Sequence, residues 1–204
     1  MTSQQIQRFF RTLAKEWPHA ARMILTGAAA GSLLGRVRPS VDVDFAVRLS
    51  RRTLAAWKDF EAAVARTTGL TGIHTNYAED IDRWGSISLL DYTRHTRPYR
   101  TFGKLDVRLL DPAYWSIGKL SRYLDPDVRD LVAVLRRQRV PVDRLIRLWA
   151  IALRKSPRSL ASTQFYQQAE HFLRAHGRAI WGRAFDAEDA VRRFALACQP
   201  PARK

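Results

Sequence analysis

Asp42 and Asp44 stand one residue apart in the apolar run "SVDVDFAV". In a strand, residues two apart share a face, so this spacing predicts both carboxylates on one side, with Val41, Val43 and Phe45 toward a core. Like charges this close repel, and no basic residue alternates with them in the run. A hard divalent ion such as Mg²⁺ accounts for the arrangement, because it takes oxygen ligands and commonly shares them with substrate phosphates. "KLDVRLL" offers a third carboxylate, with Leu105, Val107 and Leu109 on one face and Asp106 on the other. If that strand lies beside the first, Asp106 completes a two-metal site. A solvated strand end is the bland alternative for D-x-D alone.

The elements upstream favour the chemical alternative. The order is strand (Arg22–Thr26), glycine, helix (Ala28–Leu34), loop "GRVRPS", strand (Val41–Arg48). Gly27 permits a sharp turn, and the small residues after it leave the first helical N–H groups open to an anion. Thr26, Gly27 and Ala28 are therefore candidate phosphate-binding positions. Gly31-Ser32 is a second candidate turn, which makes Ser32 a further candidate. "TGAAA" before it is a poorer strand than "RMILT" before Gly27. Packing of small residues against a sheet is the structural alternative.

These residues resemble the DNA polymerase β-type nucleotidyltransferase superfamily, whose pattern is hG[GS], about ten residues, then Dh[DE]h. The nearer resemblance is to AbiEii-type nucleotidyltransferases of bacterial toxins and their relatives. It rests on Arg38-Pro39-Ser40-Val41-Asp42-Val43-Asp44, on Asp106 in a later strand, and on Lys119, Asp127 and Asp130 in "GKLSRYLDPDVRDLVAVL". One glycine of the usual pair is replaced, and the usual arginine after the lysine is shifted to Arg122. The resemblance implies an α+β fold with a nucleotidyltransferase-type mixed sheet and flanking helices. It implies Asp42, Asp44 and Asp106 as metal ligands for two Mg²⁺ ions, an NTP substrate, and Ser40 and Lys119 near its phosphates. Asp127 and Asp130 would position Lys119. The implied acceptor is RNA, at the tRNA 3′ end, and an antitoxin protein is an implied partner. An antibiotic nucleotidyltransferase is a second enzyme reading. A catalytically decayed module that binds nucleic acid or a protein partner is a third, of a different class.

Composition agrees with an anionic partner. The 204 residues carry 35 Lys plus Arg against 19 Asp plus Glu, a formal net charge of +16. The excess runs through the whole chain, and such a field attracts polyanions, chiefly nucleic acid. A polycationic aminoglycoside would be poorly served by it. The densest cluster, Arg136, Arg137, Arg139, Arg144 and Arg147, is the expected RNA dock.

Hydrophobic content of 46% is that of a globular chain. The single cysteine, Cys198, excludes an intrachain disulfide and suits a cytoplasmic setting. The five histidines are scattered, which disfavours zinc. There is no apolar run of roughly 18 residues to span a membrane, and the opening "MTSQQIQRFFRTLAKEW" reads as an amphipathic helix over 3–16, not a secretory leader. A helix is expected between Ser50 as N-cap and Gly69. "GIHTNYAED" reads as loop or edge, and "WGSISLLDYT" and "FGKLDVRLLDP" as strands. Asp91 and Asp111 are expected in turns. From Pro112 the pattern is helical, so the expected domains are a nucleotidyltransferase core, 1–111, and an all-helical region, 112–204, ending in a frayed "CQPPARK".

Overall fold

A computed structural model describes residues 2–35 and 41–199, with the side chains of Arg83 and Trp84 outside that description. Arg38, Pro39 and Ser40 of the motif therefore lie outside the described residues, as does the chain from Pro200. The architecture is α+β. The chain gathers into two compact units: one of Met1–Leu33, Arg38–Ile81 and Thr93–Leu110, the other of Leu34–Val37, Asp82–Tyr92 and Asp111–Lys204.

The first unit is built on a five-stranded mixed sheet. Its strands are β1 (Ala21–Leu25), β2 (Asp42–Leu49), β3 (His74–Ala78), β4 (Thr96–Phe102) and β5 (Leu105–Leu110), in the order β3-β2-β1-β5-β4. β1 is antiparallel to β2 and parallel to β5; β2 is parallel to β3; β4 is antiparallel to β5. Val43, Phe45 and Val47 on β2, Met23 on β1 and Val107 on β5 are buried on one face. Two helices, α1 (Ser3–Glu16) and α3 (Leu54–Thr71), supply the aromatic residues that meet them. Phe10 of α1 lies edge-on to Phe45 at 5.9 Å, and Tyr77 of β3 stacks on Phe45 at 5.5 Å and meets Phe60 of α3 at 5.7 Å. Each such side chain, fully buried, contributes about 1.5–3 kcal/mol relative to leaving it in water. Val41, expected in the core, is 85% exposed, because the strand starts only at Asp42.

Several boundaries differ from the sequence expectation. α3 is capped by Thr53, whose hydroxyl accepts from Ala56 N, and not by Ser50. It runs through Gly69 and ends on Gly72, which takes the left-handed conformation at φ 69° that favours glycine. "WGSISLLDYT" forms no strand. Its backbone N–H groups bond to side chains: Ser88 N to Ser156 Oγ at 2.8 Å, Leu90 N to Ser88 Oγ at 3.0 Å, and Leu89 N to Asp82. Ile87 and Leu89 bury themselves without a ladder, which mimics strand alternation in the sequence. β4, "TRPYRTF", went unread because it holds a proline and two arginines. It is an edge strand with an irregular register between Pro98 and Arg100, where proline is tolerated.

The second unit contains α4 (Pro112–Arg122), α5 (Asp125–Arg137), α6 (Val142–Lys155), α7 (Leu160–Trp181) and α8 (Ala187–Cys198). Trp149, Phe172 and Phe194 meet edge to face in its core, and Trp149 Nε1 donates to Ser116 Oγ at 2.9 Å. Asp111 caps α4 by accepting from Ala113 N and pairs with Arg144 at 2.8 Å. α8 lies in the region expected to be helical, although its own segment was not singled out, and it ends at half-buried Cys198, a residue the sequence reading gave to a frayed tail. Among the described residues no helix is long and apolar enough to cross a membrane.

Candidate functional site: a bridged carboxylate pair against a glycine turn

Asp42 and Asp44 project from the same side of β2, both half-buried. β3 lies parallel beside them, with His74 level with Asp42 and Asn76 level with Asp44. The Asn76 side-chain amide donates one hydrogen bond to Asp42 Oδ2 at 2.7 Å and another to Asp44 Oδ1 at 2.9 Å. A single NH₂ group thus holds the two carboxylates in a fixed relation and offsets part of their repulsion. His74 and Asn76 were missed because "HTNYA" lacks the apolar alternation of a core strand. The usable signal was the period of two itself, with Thr75 and Tyr77 as the inner pair.

The glycine turn lies against this pair. Thr26 N donates to Asp44 O at 2.9 Å, which continues the β1–β2 ladder one step beyond Leu25 and Phe45. The chain then turns at Gly27, φ 59°, into α2 (Gly27–Gly35). A Cβ on Gly27 would sit 1.8 Å from Asp44 Oδ2. Glycine is therefore required twice, by the backbone conformation and by the carboxylate pressed against it. The dipole of α2 favours negative charge at its N-terminus, where the Asp44 carboxylate lies against Gly27. Ala28 is half-buried there, and Ala29 and Ala30 are buried. Gly31 and Ser32 sit inside α2, with Ser32 Oγ donating to Ala29 O at 2.8 Å, so no turn forms there.

Asp106 shares the sheet face but not the place. On β5 it is level with Arg22, at the start of β1, whereas Asp44 is level with the residue after Leu25. Four residues of strand put about 13 Å between the two levels, and Ile24 and Ala46, both buried, lie in that interval. Asp106 pairs with Arg22 at 2.8 Å and lies 3.8 Å from Arg108. The expected triad of carboxylates is thus a pair plus a distant third residue. No group of three or more His, Cys, Asp or Glu side chains that could hold a metal occurs among the described residues.

Lys119 belongs to the other unit and is buried, 2% exposed. Its ammonium donates to Asp127 Oδ1 and to Asp130 Oδ2, both at 2.7 Å, and lies 5.5 Å from the Trp115 ring centre. Arg122 closes the network with two bonds to Asp127, at 2.8 and 3.1 Å. Burial pushes the Asp127 carboxyl upward, but the hydrogen bonds and charges of Arg122 and Lys119 outweigh it and hold it below the usual aspartate range. The sequence pairing of Lys119 with Asp127 and Asp130 is thus present as a buried ionic cluster.

No family model matches this chain, and no curated protein or solved structure matches it either.

Proposed function

We propose that the chain is a metal-dependent nucleotidyltransferase that moves a nucleotide from an NTP to an acceptor hydroxyl, with RNA as the acceptor. The observation that carries this reading is how closely Asp44 lies against Gly27: a Cβ added there would sit 1.8 Å from Asp44 Oδ2. It makes the glycine turn and the carboxylate pair one site, so phosphates at the start of α2 and a cation on Asp42 and Asp44 would be neighbours. The donor set fits a hard divalent ion: two carboxylates fixed on one face, with room in the coordination sphere for phosphate and water oxygens. Mg²⁺ bound there supplies charge neutralisation on the phosphates and a lower pKa for the attacking hydroxyl. Asp42 and Asp44 would hold the ion, Asn76 would fix their spacing, and phosphate oxygens would lie beside Gly27, within reach of the Thr26 hydroxyl and the Ala28 backbone. Asp106 is too far along the sheet to join them. A second ion would need its remaining ligands from substrate and water. A cytoplasmic setting, a tRNA 3′ end as acceptor and an antitoxin partner belong to the same reading.

Asn76 favours a second reading. Its amide bridges the two carboxylates without a metal, as a structural pair would, and that suits a nucleic-acid-binding module without catalysis. Labelled NTP, Mg²⁺ and RNA separate the two. Asp42→Asn or Asp44→Asn is expected to abolish label transfer and Mg²⁺ binding while the melting temperature holds or rises, since repulsion is relieved. Wild-type protein that binds RNA but neither Mg²⁺ nor label would leave the module.

A further inference from the structure

At the other end of the same sheet face lies an open groove of about 880 Å³, lined wholly by residues of the first unit. Six cations line it: Arg22, Arg48, Arg52, Arg94, Lys104 and Arg108, against one acid, Asp106. Arg22 and Arg48 are directly opposed across β1 and β2, and Arg22 and Asp106 across β1 and β5. Two guanidinium groups, of Arg22 and Arg108, converge on that one carboxylate. Arg108 is further fixed by its Nε donating to Thr96 Oγ1 at 2.7 Å. Among the described residues, Arg48, Arg52 and Lys104 reach no carboxylate.

Like charges gathered around a groove raise its potential and draw in a polyanion. We propose that this groove binds the phosphate backbone of a nucleic acid, at a site separate from the carboxylate pair. Six cations exceed what one nucleotide's phosphates would neutralise and suit a run of successive phosphates. Guanidinium forks match phosphate oxygens in pairs. An acidic protein is the poorer occupant, because the apolar lining residues Ala21, Ile24 and Leu49 are buried and offer no anchor of the kind protein interfaces use. Asp106 then acts as an internal competitor that holds Arg22 and Arg108 apart from incoming phosphate. The groove requires no metal and no NTP.

The test is anisotropy of a labelled single-stranded RNA oligonucleotide in EDTA without NTP, over a range of KCl concentrations, with polyglutamate as a second titrant. Arg48→Ala, Arg52→Ala and Lys104→Ala together should weaken RNA binding and make the salt slope shallower by about 2, at roughly 0.7 counterion per phosphate contact. Asp106→Asn should act oppositely and tighten RNA binding severalfold, a gain that misfolding cannot imitate. An unchanged slope and affinity in the triple variant, or weaker binding in Asp106→Asn, overturns the proposal. Polyglutamate that binds as tightly as RNA and loses affinity in the same triple variant would make the occupant an acidic polypeptide instead. Loss of label transfer alone would leave the groove standing, and failure of the groove would leave the transferase reading standing.

Discussion

Gly27 and Asp44 are the two residues whose contact decides most. Alanine at Gly27 faces a left-handed backbone, which costs about 1–2 kcal/mol, and a Cβ that cannot coexist with the present Asp44 carboxylate. The carboxylate must swing away and lose its bond to Asn76. Gly27→Ala is therefore expected to lower both stability and Mg²⁺ affinity. In an Asp44→Ala background the clash is gone and only the backbone penalty remains. A double-mutant cycle by urea unfolding should show coupling of about 0.5–3 kcal/mol. Strict additivity would mean that the two residues act apart and that the glycine serves the turn alone.

At the scale of the element, α4 and α5 are joined by the Lys119–Asp127–Asp130–Arg122 cluster. Lys119→Met removes the one cation that Asp127 and Asp130 share, leaving Asp127 to Arg122 alone and weakening the support of buried Asp130, a loss expected to cost about 3–5 kcal/mol. Replacing Lys119, Asp127 and Asp130 together with apolar residues of similar volume should recover much of that, and urea midpoints measure both. The cluster also sets an acid limb. The Asp127 carboxyl is held below its unfolded value of about 3.9. Its contribution is thus fully present above that pH and fades as pH falls through the lower folded value. Wild-type stability should therefore drop on acidification below about pH 4 more steeply than that of Asp127→Asn. Equal slopes would show that the aspartate carries no linkage.

For the molecule as a whole, the net charge of +16 is distributed over two units, and two candidate RNA surfaces follow from it. On the helical unit Arg136, Arg137, Arg139 and Arg147 are exposed, while Arg144, counted with them from sequence, is committed to Asp111. Changing Arg136, Arg137 and Arg139 to alanine should shallow the RNA salt slope by about 2 if that cluster contacts phosphates, and leave Mg²⁺ binding untouched. Salt titrations of this variant beside the groove variant apportion the binding. A slope that changes in neither variant removes both surfaces from the account.

The sequence by itself determined the features that depend on neighbours along the chain. Alternation put Asp42 and Asp44 on one face of β2, periodic apolar residues marked α1, and the glycine before a run of alanines marked the start of α2. These follow from backbone periodicity and sterics, which act over a few residues. Partners brought in from distant strands were decided by the tertiary structure. Asn76 reaches the carboxylates only because β3 adds in parallel beside β2, and its strand has too little apolar character to declare itself. Asp106 was correctly assigned to its face, yet pairing of β1 with β5 sets its level along the sheet, and no local pattern encodes that register. The same register that removes Asp106 from the carboxylate pair places it among the arginines of the groove.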